Sequence, residues 1–210
     1  MQHVDWMALN GINMPLATTG QEAVQRQVYL QLGLSEKEID SYFTGPAFLP
    51  WGRMGNIKSW GGPLRSSWDQ RSIALQHSIL GQMRSLGMTP VLPGFAGHVP
   101  DALLRIYPDV SYQVQSWLDL GFSCNNTCTI LLDPRDPVFK EVGVRIMDDS
   151  RAEFGTDHLY SRLGKQSFLQ CRRVILRLSG LCKAGCSILP KTIGSCHKLR
   201  HFLLPFLKEV

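Results

Sequence analysis

The charge pattern of the chain breaks near Tyr160. Residues 161–210 hold 10 of the 22 Lys and Arg but only one of the 17 acids, Glu209, a net +9 (10 − 1). Residues 1–160 hold 12 basic and 16 acidic residues, a net −4 (12 − 16). All five Trp and all five Tyr lie in the first piece, and four of the six Cys (Cys171, Cys182, Cys186, Cys196) lie in the second. A packed core draws on its whole domain, so one domain seldom changes composition so abruptly. We therefore read two unlike pieces, 1–160 and 161–210. The overall 44% hydrophobic and 19% charged residues suit a packed globular chain. Uncharged apolar runs such as 88–95 and 127–132 fall far short of the roughly 18 residues a bilayer requires, so no membrane span is expected. Residues 1–6 show neither the basic nor the apolar region of a secretory leader.

Hydrophobic periodicity in 1–160 predicts alternating helix and strand. The end of a helix over 4–10 stops at Gly11, and 12–17 fits a buried strand. Thr19-x-x-Glu22 reads as a capping box, a hydroxyl and a carboxylate satisfying reciprocal backbone donors. The helix that follows, about 21–32, puts Val24, Val28 and Leu32 on one face and ends at Gly33. Ser35-x-x-Glu38 opens a short helix to Phe43. Residues 45–67 form a long Gly- and Pro-rich loop containing Trp51 and Trp60. Loops of that length are usually functional or disordered, and two tryptophans argue against disorder. Ser67 can cap a helix to Leu86 with Ile73, Leu80 and Met83 on one stripe, stopped at Gly87. Then come a strand over 88–93, a loop over 94–100, a short helix over 101–107, a longer one over 136–154 and a strand beginning at 158–160. This alternation predicts parallel βαβ units. Their chemistry belongs on loops leaving the C-terminal strand ends: 18–22, 94–100 and whatever follows Tyr160.

Three motifs carry chemistry. Trp51-Gly-Arg-Met-Gly-Asn56 is a glycine-flanked aromatic loop. Flat rings beside a guanidinium or amide suit carbohydrate, whose C–H faces stack while its hydroxyls need directional partners. The plainer alternative is that Trp51 and Trp60 cap a core. In Pro93-Gly-Phe-Ala-Gly-His-Val-Pro100, Gly94 and Gly97 permit close backbone approach and His98 titrates near neutrality. The segment lacks dinucleotide-loop spacing, and a tight turn with a satisfied histidine is its alternative. Cys124-Asn-Asn-Thr-Cys128 places the glycosylation acceptor Asn125 between two cysteines. Together they suggest an oxidising secretory compartment and a short disulfide loop presenting a glycan. The C-x3-C spacing is not the C-x2-C of most zinc sites, which favours the disulfide over a metal. In the second piece, Cys182, Cys186, Cys196 and His197 fit no finger spacing. Arg172-Arg-Val-Ile-Leu-Arg177 has no interleaved aromatics, and its charge is not confined to one face. Neither metal, cofactor nor nucleic acid is expected.

Several long blocks resemble the lysosomal α-N-acetylglucosaminidases, the family 89 glycoside hydrolases. They are Asp5-Trp-Met-Ala-Leu-Asn-Gly-Ile-Asn13, Gly20-Gln-Glu22, Phe43-Thr-Gly-Pro-Ala-Phe48, Trp51-Gly-Arg-Met-Gly-Asn56 and Leu75-Gln-His77. Gly87-Met-Thr-Pro-Val-Leu-Pro93, Gly97-His-Val-Pro100 and Glu153-Phe-Gly-Thr-Asp-His158 complete them. The likeness covers about residues 5–160 and stops there. It implies a (β/α)8 barrel, of which this chain would hold about three βα units. It further implies retaining hydrolysis of terminal α-linked N-acetylglucosamine from heparan sulfate, a lysosomal location and homo-oligomeric full-length relatives. It implies that Trp51 and Trp117 line the sugar pocket, Met54 and His77 lie in the same neighbourhood, and Cys124 pairs with Cys128.

No catalytic residue is carried over. The family's acid/base glutamate follows the Gly-Thr-Asp-His-x-Tyr block in an Asn-Glu pair. Here Ser161-Arg-Leu-Gly-Lys165 follows instead, and no counterpart of the nucleophile, which lies much further along the family's chain, is found. The chain is thus expected to be inactive alone. The second piece reads as an unrelated basic, Cys-rich tail, of the kind an unspliced intron or a frame shift yields. Two alternatives stay open: an isoform whose basic tail binds membrane or nucleic acid, and a carbohydrate-binding fragment.

Overall fold

The computed structural model describes residues 2–116 and 122–161. Trp117 and the basic tail lie outside the described residues. Eight α-helices are described: α1 (Gln2–Leu9), α2 (Gln21–Gln31), α3 (Glu36–Asp40), α4 (Leu49–Arg53), α5 (Ser66–Ser85), α6 (Leu103–Ile106), α7 (Cys124–Thr127) and α8 (Pro137–Phe154). The five described strands are β1 (Val91–Pro93), β2 (His98–Val99), β3 (Tyr112–Ser116), β4 (Cys128–Leu132) and β5 (Leu159–Ser161).

β1 pairs with β5 in parallel, Val91 opposite Leu159 and Pro93 opposite Ser161, and Leu16 bridges to Val91, also in parallel. The expected parallel relation of the three apolar segments therefore holds. The first is less than the buried strand expected over 12–17: it contributes one bridge, and Ile12, Met14 and Leu16 are exposed. A second sheet, in the order β2-β4-β3, is antiparallel and was not expected. The described strands form no closed barrel.

Two apolar clusters meet along α2. Val24 joins Val4, Ala17, Leu80, Met83, Met88, Leu92 and Phe154 on one side. Val28 and Tyr29 join Ile39, Phe43, Leu103, Leu132, Val142 and Ile146 on the other. The four-residue stripe on α2 thus serves two cores, with Leu32 packed at the margin of the second. Arg26, buried on the same helix, ties three segments together. Its Nε donates to Asp69 of α5 (2.7 Å), Nη1 to Asp40 of α3 (2.8 Å) and Nη2 to the Leu64 carbonyl (3.2 Å). Planar, forked donors suit such a three-way tie.

Helix ends follow the sequence where a local rule decides them. Ser35 and Glu38 form the expected capping box on α3, and Asp136 caps α8 through the Val138 N–H. Two expected caps are absent. α2 begins after Gly20, which sits at φ 80° with no side-chain cap, so Thr19 and Glu22 form no box. α5 begins at Ser66, one residue before the expected Ser67 cap, and its N-cap Arg65 makes no side-chain bond. The long loop over 45–67 contains a 3-10 turn (Pro46–Phe48) and α4.

Candidate functional site: a cleft at the strand ends

A cleft of about 360 Å³ opens where the Leu16 segment, β1 and β5 end. Thr18, Glu22, Gly94, Ala96, His98 and Ser161 line it at or just beyond the ends of the three parallel segments. Tyr42, Thr44, Arg53 and Met54 line it from the α3–α4 region. The loops over 18–22 and 94–100, expected at the C-terminal strand ends, both contribute to this lining.

The strongest electrostatic feature of the cleft is a clamped ion pair. Arg53, the last residue of α4, donates from Nε to Glu22 Oε1 (2.6 Å) and from Nη2 to Oε2 (2.9 Å). Its Nη1 donates to Thr18 Oγ1 (3.1 Å). Glu22 is almost fully buried while the Arg53 side chain keeps about a quarter of its exposure. Parallel charge-assisted bonds of this kind fix geometry as well as charge. They anchor the short helix that carries Trp51 and the adjoining Met54 to the loop leaving the Leu16 segment. Sequence reading gave Glu22 a capping role, and the pairing with Arg53 was not foreseen. The signal lay in the separate blocks containing Gly20-Gln-Glu22 and Trp51-Gly-Arg53, but nothing local joins residues 31 positions apart.

His98 forms the opposite wall. Its ring is buried, and Nε2 donates to Gln115 Oε1 (2.8 Å), which places a proton on Nε2. Burial holds its pKa below the ordinary imidazole value, against the opposing bond to Gln115. Gly55, at φ 70°, lies against that ring, where any β-carbon would collide with it. The Gly55 carbonyl in turn accepts from Thr129 Oγ1 of β4 (2.7 Å). Glycine at this position therefore permits the close approach of the Trp51–Asn56 loop to the β2–β4–β3 sheet.

The structure sorts the residues expected to bind sugar. Met54 lines the cleft and is exposed at its mouth. Trp51 is exposed on α4, beside the lining residues Pro50 and Gly52. His77 does not line the cleft. It lies on α5, where Nε2 meets Glu153 Oε1 of α8 at 2.7 Å and the ring packs on Phe154 at 5.4 Å. Its position is a helix–helix contact, because the period of α5 turns residue 77 away from the strand ends. Trp117 lies outside the described residues. Cys124 and Cys128 are joined in a disulfide with Cα atoms 4.7 Å apart, and Asn125 is exposed within that turn. Among the described residues no group of His, Cys, Asp or Glu could hold a metal ion, and no helix is long and apolar enough to cross a membrane.

Residues 1–163 match the family model described as the alpha-N-acetylglucosaminidase (NAGLU) tim-barrel domain. The human alpha-N-acetylglucosaminidase is 54% identical over 160 residues, which are 76% of this chain and 21% of that protein. A family 89 glycoside hydrolase from Clostridium perfringens, in complex with 2-acetamido-1,2-dideoxynojirmycin, is similar with a TM-score of 0.66 and 28% identity. That likeness covers 75% of this chain and 18% of that one. The same comparison holds for a doubly Glu→Gln substituted enzyme from that bacterium bound to its substrate GlcNAc-alpha-1,4-galactose, at a TM-score of 0.64 and 29% identity. The chain thus spans about a fifth of the length of the relatives it matches. With the match running through the segments that build the cleft, the chain belongs to the α-N-acetylglucosaminidase family of glycoside hydrolases, through the TIM-barrel domain of that family.

Proposed function

We propose that residues 2–161 build one wall of a pocket for a terminal N-acetylglucosamine, and that this chain alone does not hydrolyse the sugar. The observation that carries the reading is the cleft at the C-terminal ends of three parallel segments, the place where (β/α)8 enzymes put their chemistry. On this reading the Leu16 segment, β1 and β5 are neighbouring strands of such a barrel. Trp51 and Met54 meet the sugar ring, with Trp117 completing the apolar side. His77 holds α5 to α8 and takes no part in contacting the sugar. The natural substrate, by family resemblance, is α-linked N-acetylglucosamine at the end of heparan sulfate, and the compartment is the lysosome. The division at Tyr160 belongs to the same proposal. Its support is that the family match ends at residue 163, within three residues of the charge break.

The test is a titration of the full chain with 2-acetamido-1,2-dideoxynojirimycin, followed by tryptophan fluorescence and amide chemical shifts. Saturable binding is expected, with shifts at Arg53, Met54 and His98. Trp51→Ala and Met54→Ala should weaken it several-fold, whereas His77→Ala should leave it nearly unchanged. No saturation, or equal loss in all three variants, overturns the pocket assignment.

A further inference from the structure

The turn that holds Asn125 is closed at both ends. α7 is a single helical turn bounded by the Cys124–Cys128 disulfide and capped by Ser123. Within it the two groups of the acceptor triplet are treated oppositely. Asn125 is exposed. Thr127 keeps only 3% of its exposure, and its hydroxyl donates to the Ser123 carbonyl at 3.1 Å. Asn126, between them, is docked on the neighbouring loop. Its Nδ2 donates to Ser59 Oγ (3.0 Å), and its carbonyl accepts from the Lys58 N–H (2.9 Å).

Transfer of an oligosaccharide to an Asn-x-Thr triplet requires the asparagine amide and the threonine hydroxyl to be presented together. In the closed turn the amide is available and the hydroxyl is not. We propose that Asn125 is an N-glycosylation site whose occupancy is set by competition with closure of the Cys124–Cys128 disulfide, the glycan being added only while the turn is open. This rests on the reading of 1–160 as a chain that passes through an oxidising secretory lumen. In the open turn, Asn125 Nδ2 attacks the anomeric carbon of a lipid-diphosphate-linked oligosaccharide. The new C–N bond forms as the anomeric C–O bond breaks, and the lipid diphosphate leaves while the amide gives up a proton. In the competing step both thiols lose their protons and together two electrons to the disulfide of an oxidoreductase, which becomes a dithiol. Three residues separate the two cysteines, so their thiols meet without help from the rest of the fold, and local closure is fast. A glycan already on Asn125 does not prevent later closure, because that residue is exposed in the closed turn. The order is therefore asymmetric: sugar before disulfide is allowed, disulfide before sugar is not.

The experiment translates the full chain behind a cleavable leader in the presence of microsomes, with and without dithiothreitol, and reads Asn125 occupancy by glycopeptide mass spectrometry. The leader delivers the chain whatever its natural compartment, so a failure here is distinct from an error about localisation. Asp109→Asn supplies an internal control, an acceptor triplet ending at the exposed Ser111 and outside the disulfide turn. Occupancy at Asn125 should rise several-fold under reduction and also in Cys124→Ala/Cys128→Ala, while the control site stays constant. Asn125→Gln should abolish the signal from the turn. Unchanged occupancy at Asn125, no glycan there under any condition, or a parallel rise at both sites overturns the proposal.

Discussion

Glu22 and Arg53 show how a single pair can organise one side of a cleft. A nearly buried carboxylate is tolerated because both oxygens accept from one guanidinium. Removing one partner strands the other's polarity. Glu22→Gln is therefore expected to destabilise residues 2–161 by about 2–3 kcal/mol, since Arg53 keeps partial access to water. Urea denaturation checks this, and a cost within error of zero would mean that water substitutes for the carboxylate. His98 behaves differently. Its folded pKa lies below the unfolded value because of burial. Its contribution is therefore fully present above about pH 6.5 and is lost as pH falls toward the folded pKa. Acidification from about pH 7.5 to 5.5 is expected to lower the thermal midpoint, with a smaller drop in His98→Gln. His158, held low by its own burial, acts in the same direction, so the drop in that variant will not vanish. The sequence exposed the ion pair poorly. Thr19-x-x-Glu22 satisfies a capping rule as written, but the left-handed Gly20 sets the start of α2 and frees Glu22 to turn toward Arg53.

Elements whose signals are local were legible. The α8 boundaries follow from Asp136, Pro137 and the apolar period ending at Phe154, and α2 follows from Val24, Val28 and the Gly33 stop. The β2–β4–β3 sheet was not legible, for a physical reason. β2 has two residues, β3 is mostly exposed on both faces, and only β4 carries a buried run. Pairing is non-local: Tyr112 meets Leu132 and His98 meets Leu131, which no period within one segment reports. That sheet nevertheless shapes the cleft, since β4 holds the Gly55 carbonyl and the disulfide turn docks beside Lys58. Reducing the disulfide is expected to loosen this docking selectively. The Lys58 amide, bonded to the Asn126 carbonyl, should exchange faster. The Ser59 amide, bonded to the Tyr42 carbonyl, should keep its protection. Hydrogen exchange with residue resolution distinguishes the two, and equal acceleration would show that the loop does not depend on the turn.

At the scale of the whole molecule, family membership and catalytic competence separate. The match spans 76% of this chain but 21% of the human relative, so likeness over this stretch shows the family and does not carry the relative's reaction with it. Retaining hydrolysis needs two carboxyl groups about 5–5.5 Å apart, one to protonate the leaving oxygen and one to attack the anomeric carbon from the other face. Among the described residues that line the cleft, Glu22 is the single carboxylate. Both of its oxygens already accept from Arg53, which leaves it poorly placed to attack a sugar or to deliver a proton. His98 is poorly suited to replace the missing acid, because burial disfavours its charged form and its Nε2 proton points at Gln115. The 210-residue chain is therefore expected to release no aryl alcohol from an aryl α-N-acetylglucosaminide above the buffer rate, between pH 4 and 7. Glu22→Gln should leave that baseline where it is. Binding of the iminosugar without turnover would fit a pocket wall that lacks its catalytic pair. Turnover abolished by Glu22→Gln would instead place a catalytic carboxylate inside this segment, and the division of labour drawn from the clamped ion pair would have to be abandoned.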